Sequence, residues 1–318
     1  MPPVSMLPLI VEVMLPIALL VGAGGVWPRH GGEVPPALLR VQLNRLALNV
    51  FVPALMFAIG ASFDVTLDLL TVPLLYALGV AAGSVLLYWL LYRSAFGARL
   101  DDAGRAALMI GGLFGNTFYI GLPILTMVYG PQAARYPAYN DMLAAVPLVW
   151  SLGVAIATRL GPGRGAVKAP PLWRTLAVLP PLWGFAAGIA VHYSGLDLGA
   201  AVRAAHLIGQ ATVPVMMFVL GLSIPWRQLR PDRYILAVAL VKLAVIPALV
   251  WGMASQLFFP VGEPQYAAII ESSMPSMVML LVLADRFKLD TERAALLVGW
   301  TTLLMWLALP FWIWIGKA

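Results

Sequence analysis

The stretch from Met109 to Gly130 is apolar enough to enter a membrane, yet it is rich in residues that weaken a helix. Glycines and Pro123 surround the polar pair Asn116–Thr117, so backbone groups near the middle of a membrane would lose their helical partners there. In secondary transporters, discontinuous helices of this kind meet at the bilayer midplane and form binding sites. From this stretch alone two interpretations stay open: a transporter crossing point, or a kinked helix whose small residues allow close packing.

The composition identifies the fold class. Of 318 residues, 61% are hydrophobic and 11% are charged, and the mean hydropathy is +0.89. These values indicate an all-α polytopic membrane protein. We predict ten transmembrane helices, the first of them retained rather than cleaved as a signal: 6–26, 43–63, 72–94, 105–130, 139–160, 173–194, 203–226, 234–258, 265–286 and 290–315. Cysteine is absent, which excludes disulfides and thiolate metal sites.

The basic residues are concentrated on one side of the predicted topology. Sixteen of the twenty lysine and arginine residues lie in the loops after odd-numbered spans. The positive-inside rule therefore predicts that these loops are cytoplasmic and that both termini are outside. Because membrane orientation explains the net charge of +6, we predict no nucleic-acid partner. The expected location is a lipid bilayer, specifically the inner (plasma) membrane of a bacterium.

Two segments of the chain repeat. VPALMFAIGAS begins at Val52 and VPVMMFVLGLS begins at Val213, with Pro, Met, Phe, Gly and Ser in register. Five spans separate the copies, so the two halves would have opposite orientations, as in the inverted repeats of secondary transporters. We predict a first five-helix repeat at 1–160, a cytoplasmic linker at 161–172 and a second five-helix repeat at 173–318.

The same repeat relates the fourth span to the ninth. Aligning Gly115–Asn116 with Pro275–Ser276 places a helix interruption at corresponding positions in both halves. A pair of crossing broken helices would aim its half-helix ends at a common centre.

These residues resemble the auxin efflux carrier family of membrane transporters, which includes plant PIN carriers and bacterial malonate or malate carriers. The resemblance rests on five segments: LPIALLVGAGGVWPR, LNRLALNVFVPALMF, GNTFYIGLPIL, ATVPVMMFVLGLS and ESSMPSMVMLLVLADRF. The family is similar in fold to bile acid–sodium symporters. The chain departs from PIN carriers in its short loop between spans 5 and 6 and in Gly115, where they have Pro.

The resemblance implies the following architecture and activity. Spans 1, 2, 6 and 7 would form a scaffold, and spans 3–5 and 8–10 a transport core that moves as an elevator. The substrate would be a small organic anion, such as malonate, malate or an auxin-like carboxylate. We also expect a homodimer.

Glu271 lies in the ninth span, four residues before Pro275. A carboxylate at this depth must be paired, protonated or bound to a cation. The resemblance to the symporters matches Glu271 and Asn116 to sodium ligands, so both are candidate Na⁺ ligands, with Ser272 and Ser273 beside them. Alternatively Glu271 carries a proton, or it is a structural carboxyl. The expected coupling ion is Na⁺ or H⁺, with no other cofactor.

The remaining candidates concern the substrate. Lys242 is an intramembrane lysine in the eighth span; it would attract an anion, pair with Glu271 or extend to the cytoplasmic face. Asn49 and Gln210 occupy equivalent places in the repeat, where they would line the substrate cavity or bond between helices. The predicted substrate-binding set is Gly115, Asn116, Thr117, Pro275, Ser276, Asn49, Gln210 and Lys242.

Two other classes of function compete with a transporter. An enzyme is disfavoured because the chain has no Cys, no HExxH, no GxSxG and no phosphate-binding glycine loop. A channel or a membrane sensor on the same fold is the alternative to a transporter. A channel would be distinguished by flux that does not saturate, and a sensor by binding without transport.

Overall fold

The computed structural model describes residues 11, 14–30, 34–162, 171–230, 232–258 and 260–316. Within those residues the regular structure is helical, and an isolated bridge joins Gly115 to Ser276. The helices, labelled in chain order, are α1 (Leu15–His30), α2 (Pro36–Ser62), α3 (Leu69–Arg93), α4 (Asp102–Leu113), α5 (Thr117–Tyr129), α6 (Pro131–Arg159), α7 (Leu172–Ala177), α8 (Pro180–Ser194), α9 (Gly199–Ser223), α10 (Arg233–Leu257), α11 (Glu263–Ser272), α12 (Met279–Arg286) and α13 (Thr291–Ile315).

Six of the described helices are long and apolar enough to cross a membrane: α2, α3, α6, α9, α10 and α13. The predicted fourth span is divided into α4 and α5, the ninth into α11 and α12, and the sixth into α7 and α8. The all-helical membrane fold is confirmed. The count of ten spans and the inverted repeat stay predictions, and most of the predicted linker lies outside the described residues.

Three of the described helices contain a π-helical turn that ends two residues before a proline. The turns are Ala47–Phe51 before Pro53, Asp141–Ala145 before Pro147 and Val241–Val245 before Pro247. Proline lacks the N–H that would bond the carbonyl four residues earlier, and its ring crowds that carbonyl. A wider turn accommodates both effects without ending the helix.

Aspartate side chains cap the described helices α4, α10 and α13, and the caps of α4 and α13 are linked to each other. The Asp101 side chain accepts a hydrogen bond from the Gly104 N–H at the start of α4, at 3.0 Å. Asp290 accepts one from the Arg293 N–H at the start of α13, at 2.9 Å. The Arg293 guanidinium also contacts both caps, at 3.4 Å from Asp101 and 2.7 Å from Asp290. The starts of α4 and α13 are therefore held together.

The chain divides into two compact units. Unit 1 comprises residues 1–69, 118–138 and 173–223, and unit 2 comprises residues 70–117, 139–172 and 224–318. The predicted division into a scaffold and a transport core stays a prediction.

Glycines bring the helices of unit 1 into backbone contact. A Cβ atom added at Gly24 of α1 would meet the carbonyl oxygen of Phe218 in α9, and one added at Gly188 of α8 would meet that of Phe57 in α2. Phe57 and Phe218 are matched residues of the predicted repeat. The same kind of contact thus occurs at corresponding positions of both copies, as small residues allow between membrane helices.

Candidate functional site

The two helix breaks of unit 2 meet each other. Between α4 and α5, and between α11 and α12, short extended segments pair in antiparallel fashion. The Asn116 N–H donates to the Pro275 carbonyl at 2.7 Å, and the Met277 N–H donates to the Phe114 carbonyl at 3.1 Å. At the breaks these backbone N–H and C=O groups have no helical partner. The bonds between the two segments supply partners, which buried polar groups need in an apolar environment. Both predicted interruptions are observed, and we call this place the crossing.

Side chains hold the crossing in position. Ser276 Oγ donates to the Gly111 carbonyl at 2.8 Å, and the Ser276 N–H donates to Thr301 Oγ1 at 3.0 Å. The Gly115 N–H donates to the Tyr76 hydroxyl oxygen at 3.5 Å. In this structure Ser276 therefore bonds to the protein itself, and its predicted contact with substrate stays a prediction.

Glu271 is fully buried and is paired with an amide. Its Oε2 accepts a hydrogen bond from Asn140 Nδ2 at 3.0 Å. Its Oε1 and the Asn140 Oδ1 are both buried and have no hydrogen-bond partner within the described residues. A proton on Glu271 would turn one of these two acceptors into a donor, so a single proton changes the hydrogen-bonding capacity of the pair.

Sequence reasoning missed Asn140 and its neighbour Asp141. Thr117 Oγ1 donates to Asp141 Oδ1 at 3.3 Å, and Asp141 is half-buried at the start of the π-helical turn before Pro147. Two adjacent polar residues at the start of the predicted fifth span were the available signal. A span that begins at 139 places both residues at the membrane surface, where polar side chains are common.

Lys242 is buried, with none of its surface exposed. Its ammonium donates to the Ser272 carbonyl at 3.1 Å and to the Leu113 carbonyl at 3.5 Å. Of the three alternatives for Lys242, extension of its ammonium to water at the cytoplasmic face does not agree with this burial. The described residues also include no carboxylate within salt-bridge distance of its ammonium.

The other candidates at the crossing differ in their partners. Asn116 is 4% exposed, and its Nδ2 is buried and has no hydrogen-bond partner within the described residues. The hydroxyls of Ser272 and Ser273 donate to carbonyls of their own helix, at 2.7 Å from Ala268 and 2.8 Å from Ile270. Asn116 therefore has a free donor at the crossing, whereas the two serine protons are already in use.

Unit 1 contains a cavity of about 630 Å³. Gln210 lines this cavity, whereas Asn49 is not among its lining residues and donates to the Arg45 carbonyl at 2.7 Å. Hydrophobic residues dominate the wall, and its side-chain polar groups are neutral or imidazole: Leu55, Ala58, Ile59, Ser62, Phe63, Leu122, Pro123, Thr126, Met127, Pro131, Ala134, His206, Gly209, Gln210 and Val213.

A sodium ion requires several oxygen ligands, because hard cations bind oxygen donors. At the crossing, the helix-end carbonyls of Leu113 and Ser272 already accept from Lys242. The described residues also contain no cluster of three or more His, Cys, Asp or Glu side chains. Glu271 Oε1 and Asn140 Oδ1 are the buried acceptor oxygens left without a partner among the described residues, and the sodium site that the resemblance to symporters implies stays a prediction.

Comparisons with known proteins agree with a transporter. A family model described as membrane transport protein matches residues 9–313. An uncharacterized transporter of Methanothermobacter thermautotrophicus is 26% identical over 274 residues, which cover 85% of this chain and 87% of that protein. An uncharacterized transporter of Methanocaldococcus jannaschii is 27% identical over 281 residues, covering 86% and 88%.

Proposed function

Because this chain belongs to the membrane transport protein family that includes the auxin efflux carriers, we propose that it is a secondary active transporter of a small organic anion. The observation that carries the proposal is the crossing. Two helices, α5 and α12, begin there, and helix N-termini attract negative charge. The unpartnered Asn116 amide adds a hydrogen-bond donor for a carboxylate at the same place.

The cavity of unit 1 supports a particular class of anion. Its volume is within the range of ligand pockets, about 300–1,000 Å³. Its wall is largely apolar, and its described lining residues include no Lys or Arg, so the cavity by itself suits an apolar compound better than a dicarboxylate. We therefore favour a monocarboxylate with an apolar body, as in auxin-like compounds, over malonate or malate.

The wider mechanism extends this proposal. The matched glycine contacts of unit 1 support two inverted five-helix repeats, and the distribution of basic residues supports both termini outside. Elevator movement of a core of spans 3–5 and 8–10 against a scaffold of spans 1, 2, 6 and 7 would give alternating access. A homodimer in a bacterial inner membrane is the proposed assembly.

Glu271 is the proposed coupling residue. Its pairing with Asn140 leaves two buried oxygens without a donor within the described residues, and a proton would supply one. Binding and release of that proton would change the charge beside the crossing during transport. A proton needs only the Glu271 carboxylate, whereas a sodium ion would need several oxygen ligands.

Uptake by purified protein in proteoliposomes tests the proposal. We expect saturable, proton-gradient-dependent uptake of indole-3-acetate, with much slower uptake of malonate. Asn116→Ala should lower uptake at least tenfold, because it removes the free donor at the crossing. Glu271→Gln should make the remaining uptake independent of pH, since the amide cannot exchange a proton.

Gln42→Ala is the matched control, because it removes an exposed amide from α2 and should leave uptake unchanged. Flux that increases linearly with substrate concentration would indicate a channel instead. Saturable binding without uptake would indicate a sensor. Wild-type activity in Glu271→Gln at every pH would remove the coupling role and leave Glu271 as a structural carboxyl.

A further inference from the structure

Two helices of unit 2 end at the crossing with their carbonyl groups towards it. The last residues of α4 and α11 are Leu113 and Ser272. Carbonyls in the last turn of a helix have no intrahelical partner, and each helix end carries roughly half a negative charge. In a membrane these groups need a donor or a cation.

The Lys242 ammonium contacts both helix ends. It donates to the Ser272 carbonyl at 3.1 Å and to the Leu113 carbonyl at 3.5 Å. One positive charge offsets two ends of roughly −0.5 each, so the balance is close to neutral. The burial of Lys242 is thus compensated without a carboxylate in direct contact.

The surrounding residues hold Lys242 in this place. It lies in the π-helical turn Val241–Val245, and Pro247 leaves the Leu243 carbonyl without its usual helical donor. The Trp312 indole N–H donates to that carbonyl instead, at 2.8 Å. A Cβ atom at position 115 would lie 3.1 Å from Lys242 Nζ, so Gly115 leaves room for the ammonium.

Other ionisable groups are present near this ammonium. Glu271 of α11 interacts with it electrostatically, although no salt bridge joins them. Asp141 of α6 and Tyr76 of α3 both interact electrostatically with Glu271, and they also interact with each other. Neither Asp141 nor Tyr76 has a hydrogen bond to Lys242 among the described contacts, so the helix-end carbonyls remain its direct partners.

We propose that the Lys242 ammonium is a built-in cation that takes the place of a sodium ion at the crossing, so that the carrier works without sodium. A sodium ion would compete for the same carbonyl oxygens against a like charge a few ångströms away. The proposal rests on the transport function proposed above and names its ion requirement. The proposal concerns the fixed positive charge of Lys242, and it does not depend on whether Glu271 binds and releases a proton.

Thermal unfolding in detergent tests the proposal on the full-length protein. Wild type, Lys242→Ala and Lys242→Arg are compared in sodium chloride, choline chloride and methylammonium chloride at equal ionic strength. We expect the wild-type Tm to be the same in all three salts. Lys242→Ala should lose roughly 5 °C in choline and recover part of it in sodium or methylammonium, whose small cations fit the vacated space.

Lys242→Arg is the matched control, because it keeps the charge and should remain indifferent to sodium. A wild-type Tm that rises with sodium overturns the proposal, and so does a Lys242→Ala protein that responds to no cation. If Lys242→Ala does not fold, wild type and Lys242→Arg still decide the matter through their response to sodium.

Uptake in proteoliposomes separates this proposal from the proposed function. Replacement of sodium by choline on both sides should change wild-type uptake less than twofold, whereas a loss of more than tenfold contradicts the built-in cation. Failure to transport any carboxylate would count against the proposed function alone. The Tm comparison would still report whether Lys242 replaces sodium.

Discussion

Glycines serve different purposes in the two units. In unit 1, a Cβ atom added at Gly24, Gly60, Gly188 or Gly221 would meet backbone atoms of a neighbouring helix. In unit 2, a Cβ atom added at Gly79, Gly83, Gly111 or Gly112 would first meet the ends of Val, Leu or Ile side chains. The helices of unit 1 are thus in main-chain contact at these positions, while those of unit 2 are separated there by side chains.

The difference indicates which parts of the molecule can adjust. Main-chain contact fixes the separation of two helices, because neither backbone moves without moving its whole helix. Side-chain ends change rotamer at a small cost. Unit 2 accordingly tolerates a crossing built from buried polar groups, whereas the helix contacts of unit 1 suit a rigid frame.

The largest expected effect breaks the main-chain contact of unit 1. Gly24→Ala places a methyl group against the Phe218 carbonyl, so α1 and α9 must separate. We expect a loss of about 3 kcal/mol in unfolding free energy. This corresponds to a Tm lower by roughly 5–10 °C in detergent.

The matched control for this change lies on the same helix. An added Cβ at Gly22 meets nothing within 4 Å, so Gly22→Ala should be neutral or slightly stabilising through helix propensity. Equal Tm values for the two variants would show that the glycine contact does not determine the packing of unit 1.

A medium effect concerns the crossing of unit 2. Ser276→Ala removes the buried hydrogen bond that Ser276 Oγ donates to the Gly111 carbonyl. Loss of such a bond costs about 1–3 kcal/mol when an acceptor is left buried. Ser255→Ala is the control, because the Ser255 hydroxyl bonds a carbonyl of its own helix at an exposed position. The prediction fails if both serine variants unfold at the wild-type temperature.

The smallest expected effect is that of an alanine at Gly111 in unit 2, which can be compared directly with Gly24→Ala in unit 1. Gly111→Ala would bring a Cβ to 2.6 Å from a Leu297 methyl and 2.7 Å from a Leu280 methyl, and both side chains can turn away. Helix propensity offsets part of the strain, so the net loss should be below about 1 kcal/mol. Thermal unfolding beside Gly24→Ala measures the contrast. A loss as large as that of Gly24→Ala would mean that unit 2 is packed as rigidly as unit 1.

Much of the fold was predictable because its signals are local. Hydropathy identified a helical membrane protein, and glycine and proline near Asn116 and Pro275 predicted both helix breaks. The resemblance in the quoted segments led to the correct family. The matched motifs at Val52 and Val213 also pointed to segments whose contacts correspond in unit 1.

The partners of the charged residues were decided by the tertiary structure alone. The sequence identified Glu271 and Lys242 as costly in a membrane, but it did not identify what compensates them. Glu271 is paired with Asn140, which is 131 residues away, and Lys242 bonds the Leu113 carbonyl, which is 129 residues away. A backbone carbonyl has no signature in a sequence, since every residue has one. Only the meeting of the broken helices brings two helix ends to the ammonium, so the folded chain decides which oxygens a buried charge can reach.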